Sequence, residues 1–265
     1  MIHATPESIA SMLRGTPLVI MLDIDGTLCD LVVHADSAVV PDAVRTALVA
    51  LEARRSDGVH VALVTGRSVA DAQRMIGVNG IPIYGNHGME RLLSDGTTHG
   101  PDGFDADEAR MRTATAELTR LTAEFPGTGV EDKRFSLSVH FRNMDEKLAP
   151  EFVQRASQIV ERNGLRPSPG KCVINVVTMT GRNKGGAVRE IIEEAAASWP
   201  DEPIQSILFV GDDVTDEDAF LALRPDSNAV TVRVGDAAAQ SAARYSLDDP
   251  RAVRELLEAL ASTRT

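Results

Sequence analysis

Two rhythms of apolar residues alternate along the chain. Leu18-Val19-Ile20-Met21-Leu22, Val59 to Val64 and Ile204 to Val210 are nearly unbroken apolar runs, as strands covered on both faces are. Between them the apolar residues fall at helical spacing. Val44, Leu48 and Leu51 do so within Pro41–Ala53, where Pro41 suits a first turn, and Ser68 is placed to cap Val69–Ile76. Val188, Ile191, Ile192 and Ala195 repeat the pattern after Asn183, as do Val253, Leu256, Leu257 and Leu260 within Pro250–Ala261. Short strands are predicted at Ile81–Tyr84 and Ala229–Val234. Strand and helix in strict alternation predict an α/β fold with a parallel sheet.

From about Gly100 the alternation stops. A long helix is predicted over Ala106–Phe125, with Ala114, Leu118, Leu121 and Phe125 on one face. Phe135–Arg142 alternates apolar and polar with period two, the mark of a half-covered strand. A helix at Pro150–Asn163 and a strand at Lys171–Val177 complete a small α+β unit. Loops rich in Gly, Pro, Asp and Thr bound it at Asp95–Asp102 and Thr178–Gly181. The expected organisation is a core formed by residues 1–99 and 181–265, with residues 100–180 inserted between them.

The chain has 265 residues, 43% of them hydrophobic and 25% charged, an ordinary globular composition. A formal net charge of −12 argues against nucleic acid or an anionic membrane as partner. Two cysteines far apart, Cys29 and Cys172, are expected to be reduced, which favours the cytoplasm. Met1–Pro17 lacks the apolar core of a signal peptide, no run reaches membrane-spanning length, and a monomer is expected.

Polar chemistry is concentrated where the predicted strands end. Asp23 and Asp25 follow the first long strand, Thr65-Gly66-Arg67 the second, Asn86-His87-Gly88 the third, and Asp212, Asp213 and Asp216 the strand ending at Val210. Lys184 opens a helix. Parallel strands bring their carboxyl ends to one edge, so these groups are expected to meet. Phosphoryl transfer needs an in-line nucleophile, charge neutralisation and a proton donor for the leaving oxygen. Asp23 would supply the nucleophile and form an aspartyl-phosphate. Asp25 would protonate the leaving alcohol and then deprotonate water. Thr65 would hold phosphate oxygens, and Lys184 would shield Asp23 from the phosphate. Clustered carboxylates without a Cys/His set point to Mg²⁺, held by Asp23, the carbonyl of Asp25 and Asp212, with Asp213 and Asp216 in support.

These runs resemble the four motifs of the haloacid-dehalogenase-like (HAD) phosphohydrolases. Gly211-Asp-Asp-Val-Thr-Asp-Glu-Asp-Ala-Phe220, Val130 to Arg142 and Gly170-Lys171 are similar to the trehalose-6-phosphate phosphatases in particular. The resemblance implies a Rossmann-like core, a mobile inserted α+β cap, Mg²⁺ dependence and a disaccharide phosphate as substrate, with trehalose 6-phosphate first. By position it assigns sugar contacts to Lys133, His140, Arg142 and Lys171. Substrate contacts are likewise expected from Gly66, Arg67, His87 and Asn175. Two departures stand out: Asn86-His87-Gly88 where relatives carry Glu-His-Gly, and Asn175 where relatives carry a cap glutamate. An amide donates as well as accepts, so a related glycosyl phosphate, of glucosylglycerate or pseudo-disaccharide type, is the alternative substrate. A phosphomutase and a non-catalytic sugar-phosphate sensor are the further alternatives.

Overall fold

Branched apolar residues in runs make strands, and here they make a sheet whose centre is the Leu18–Leu22 strand. The computed structural model describes residues 1–13, 15–32, 37–100, 104–133, 136–170, 172–178, 182–236 and 239–262. The chain divides into two compact units, residues 1–98 with 183–265, and residues 99–182.

In the first unit the elements run β1 (Ile2–His3), α1 (Pro6–Met12), β2 (Leu18–Leu22), α2 (Asp42–Glu52), β3 (Val59–Val64), α3 (Val69–Ile76), β4 (Ile83–Gly85), β5 (Glu90–Leu92) and β6 (Thr98–His99). The second unit contributes α4 (Phe104–Glu124), β7 (Gly129–Asp132), β8 (Leu137–His140), α5 (Ala149–Arg162), β9 (Leu165–Gly170) and β10 (Val173–Thr178). The first resumes with α6 (Lys184–Ser198), β11 (Ser206–Gly211), α7 (Glu217–Ala222), β12 (Ala229–Val234), β13 (Tyr245–Leu247) and α8 (Pro250–Ser262).

The core sheet has the order β1-β13-β12-β11-β2-β3-β4-β5-β6. Pairing is parallel from β1 across to β4, and β5 runs antiparallel to β4. From β2 the chain winds to β3 and β4 on one side, then returns to β11, β12 and β13 on the other. The reversal lies between β2 and β11, and ligands of open α/β sheets bind at the carboxyl ends beside such a point.

All five residues of β2 are buried, because the sheet is covered on both faces. Leu18, Ile20 and Leu22 pack with Val44, Leu48, Val253 and Leu256 of α2 and α8. Val19 and Met21 point the other way, to Val188 and Ile191 of α6 and Phe220 of α7. That is the α/β reading of the sequence, with a parallel-sheet core.

The second unit has its own apolar core, in which α4 residues Ala114, Leu118 and Leu121 meet Phe152 and Ile159 of α5 over Leu137, Val139, Ile174 and Val176. Its sheet is antiparallel, ordered β7-β8-β10-β9. Several short elements have no apolar rhythm to announce them. Among these, β7 and β9 complete the sheet of the second unit, α1 covers one face of the core of the first, and β1 and β13 extend the edge of its sheet. Among the described residues no helix is long and apolar enough to cross a membrane.

Candidate active site

The carboxyl ends of β2 and β11 lie side by side, Val210 pairing with Leu22. Asp23 leaves β2 with its amide still bonded to the Val210 carbonyl at 2.9 Å, so its backbone is held by the neighbouring strand. The residue is 4% exposed. Lys184, the first residue of α6, reaches in beneath it: Nζ donates to Asp23 Oδ1 at 2.8 Å and to Asp216 Oδ1 at 2.7 Å. The helix start is held by Asn183, whose side chain accepts from the Gly186 amide at 2.9 Å. Asp216 is fully buried and turns its second oxygen to the Asp213 amide at 2.9 Å.

Asp23, Asp212 and Asp216 each offer a carboxylate oxygen, and these lie within 4.8 Å of one another. Backbone positions are chosen to permit that approach. Gly26 has φ +74°, and a Cβ there would run into the Asp212 carboxylate; at Gly211 one would run into that of Asp216. Three carboxylates around one ammonium leave surplus negative charge in a dry place. Burial pushes the Asp23 carboxyl well above its ordinary range, with Asp216 and Asp212 adding to the rise and Lys184 opposing it. Asp212 is pushed up to about 7, by burial first and then by Asp216 and Asp213. Burial alone would lower the Lys184 ammonium, but Asp216 and Asp23 outweigh it and its proton is held more tightly than usual. A hard divalent cation fits this donor set: all oxygen, all anionic, with no sulfur or imidazole among the three.

The Asp25 side chain is paired with Arg67. Its carboxylate takes both arms of the Arg67 guanidinium, Nε to Oδ2 and Nη2 to Oδ1, each at 2.6 Å. Only its backbone carbonyl was assigned to the cation, and its side chain is not in the clustered trio. Thr65 is 1% exposed at the end of β3, and its hydroxyl oxygen accepts from the Arg67 amide at 3.1 Å. His87 donates its amide to the Thr65 carbonyl at 2.9 Å, and its ring lies so close to Gly66 that a Cβ there would be 2.6 Å from Cε1. The structure thus gathers Asp23, Lys184, Asp212 and Asp216 around one point, with Asp213 contributing its backbone amide to Asp216, and sets Asp25, Thr65, Gly66, Arg67 and His87 along the adjoining loops.

Two partnerships had no signal in the sequence. One is the Arg67 to Asp25 fork, since nothing in a Thr-Gly-Arg run says which acid its arginine meets. The other is Glu90, whose Oε1 accepts from the Val69 amide at the start of α3 and from Asn86 Nδ2, both at 2.7 Å. Asn86 is fully buried there, with φ 48°.

In the second unit, Glu131 of β7 joins two of the predicted residues: its Oε2 meets His140 Nε2 at 3.0 Å and Lys133 Nζ at 3.7 Å. Those contacts, the His140 hydrogen bond first, hold the Glu131 carboxyl below its usual range although burial opposes them. Asn175 Oδ1 accepts from Ser138 Oγ at 3.1 Å, and Arg142 is exposed. Lys171 lies outside the described residues.

A family model described as trehalose-phosphatase matches residues 21–251. A trehalose-phosphate phosphatase of Mycobacterium tuberculosis is 34% identical over 245 residues, 91% of this chain. The chain spans 61% of that relative's length. An uncharacterized glycosyl hydrolase of the same organism is 32% identical over 94% of this chain, which is 19% of that protein. Among solved structures, the C-terminal domain of C. albicans trehalose-6-phosphate phosphatase superposes with a TM-score of 0.84 at 21% identity, covering 100% of this chain and 99% of that one. A trehalose-6-phosphate phosphatase related protein gives 0.77 at 24% identity, covering 92% and 96%. These two share the fold. With the family model matching from the end of β2 into α8, the chain belongs to the trehalose-phosphatase family.

Proposed function

We propose that the chain is a Mg²⁺-dependent phosphatase that hydrolyses trehalose 6-phosphate to trehalose and inorganic phosphate through an aspartyl-phosphate on Asp23. The observation that carries this reading is the buried Lys184 ammonium between Asp23 and Asp216, at 2.8 and 2.7 Å, with Asp212 alongside. Lys184 occupies Asp23 Oδ1 and so turns Oδ2 into the attacking atom. It also opposes the burial that drives the Asp23 carboxyl toward its protonated form.

In the first half-reaction Asp23 Oδ2 bonds to phosphorus as the bond to the sugar oxygen breaks, and Asp25 gives that oxygen a proton. In the second, water attacks the phosphorus, Asp25 takes the proton back, and the phosphate leaves Asp23 free. Thr65 still has a hydroxyl proton to donate to a phosphoryl oxygen, since its oxygen accepts from the Arg67 amide. Asp23, the Asp25 carbonyl and Asp212 would hold Mg²⁺, which when bound neutralises the charge that nucleophile and substrate share. Sugar recognition is assigned, on the family resemblance, to Lys133, His140, Arg142 and Lys171.

Asn175 supports a related glycosyl phosphate as the second reading. Its Oδ1 accepts from Ser138, which leaves the amide N–H groups as donors where a glutamate would only accept. Phosphate release across a panel of sugar phosphates, trehalose 6-phosphate first, separates the two readings. Asp23→Asn is expected to abolish release while sparing substrate binding by calorimetry; undiminished release from that variant would end the covalent route.

A further inference from the structure

Arg67 stands out because two loops from different strands are locked around it. Its backbone is held on both sides, the amide by Thr65 Oγ1 at 3.1 Å and the carbonyl by the Asn86 amide at 2.7 Å. Asp25 is held as firmly. It bridges to Cys29, and the Gly26 amide closes onto the Cys29 carbonyl at 2.9 Å. Between these two anchored backbones the side chains make parallel bonds of 2.6 Å, with Arg67 only 11% exposed at its side chain. A planar fork on a planar carboxylate sets the rotation of the acid as well as its place, which a single ammonium would not do.

We propose that Arg67 is a positioning residue that aims the Asp25 carboxylate at the leaving oxygen and at the attacking water. The inference rests on the reading of Asp25 as the proton-exchanging group. In the first half-reaction Arg67 therefore matters where a proton must be delivered, and little where the leaving group departs unaided; the water attack that follows is common to every ester. A small misplacement of a catalytic group is enough to cost much of its contribution. The rival role is direct grip on the substrate phosphate, which would serve every ester alike.

The test compares kcat, KM and single-turnover release of the leaving group for wild type, Arg67→Ala, Arg67→Lys and Asp25→Asn on trehalose 6-phosphate and on 4-nitrophenyl phosphate, whose phenolate leaves without protonation. Arg67→Ala is expected to lower kcat on the sugar phosphate by about 10- to 100-fold, with KM within about twofold of wild type. Its single-turnover release of 4-nitrophenol, the half-reaction that takes no proton from Asp25, should stay within about threefold of wild type. Arg67→Lys keeps the charge but loses the fork, and it should not restore kcat. It also decides the matter if the alanine variant melts early. An equal loss in single-turnover release of both leaving groups, a raised KM with kcat intact, or full rescue by lysine would each overturn the proposal. The readings fail separately. Full sugar-phosphate turnover by Asp25→Asn removes the acid itself, whereas a dead Asp25→Asn beside Arg67 variants at wild-type kcat removes only the positioning role.

Discussion

Removing the Lys184 ammonium strands two carboxylates, because Asp23 and Asp216 are buried with it. Taking one member from a buried ion pair leaves a charge that neither water nor protein solvates, at a cost of about 3–5 kcal/mol. Lys184→Met, similar in length, is therefore expected to lose about that much stability in urea unfolding without added divalent cation. A loss under about 1 kcal/mol would mean that the acids are solvated without the lysine. The lysine was legible in the sequence as a cation opening a helix, and Asp212 with Asp216 as acids following a strand. What spacing along the chain could not show is which oxygen faces which donor. Asp25 looked like the twin of Asp23, yet its carboxylate faces Arg67, while Asp216 shares the ammonium with Asp23.

Long elements were readable because burial on both faces of the sheet forces continuous apolar runs, and burial on one face of a helix forces helical spacing. β2 and β3 have the predicted bounds, and α2 lies within its predicted span, for that reason. Elements held by backbone pairing alone left no such mark. β9 contains Pro167 and Pro169, which argue against a strand, but it lies at the edge of its sheet, where an absent N–H does little harm. The start of α3 was half legible: Ser68 does cap it, accepting from the Asp71 amide at 3.2 Å. Its second support, Glu90, comes from a strand 21 residues on. That carboxylate also holds Asn86, which with His87 adopts a left-handed backbone next to Thr65. Glu90→Ala would leave the Val69 amide and the Asn86 side chain without this acceptor and free a strained loop. A loss of about 2–3 kcal/mol in denaturant unfolding is expected, with Glu90→Gln losing less because it retains one acceptor. Equal stability of the two variants would show that charge at the helix start, rather than the hydrogen bonds, is what Glu90 supplies.

At the scale of the molecule the same surplus of negative charge links stability to cation and to pH. The chain carries a formal net charge of −12, and three of its carboxylates meet around a single ammonium. A ligand that binds only the folded state adds RT ln(1 + [L]/Kd), about 2.7 kcal/mol at a hundredfold excess over Kd. For a chain of this size that corresponds to a rise in Tm of about 5–10 °C with Mg²⁺, reversed by a chelator. Asp212→Asn removes both a ligand and a source of repulsion, so its cation-free Tm should equal or exceed that of wild type while its response to Mg²⁺ disappears. The pH dependence follows from Asp212. With its pKa raised to about 7, the folded protein keeps a proton there that the unfolded chain loses at the ordinary carboxylate range. Cation-free stability is therefore lost as pH rises from about 4 to about 7. Mg²⁺ competes with that proton, so the gain in Tm should be larger at pH 8 than at pH 6. Melting curves at the two pH values, with and without cation, test both relations, and an Asp212→Asn variant that responds to Mg²⁺ as wild type does would sink the carboxylate site as its seat.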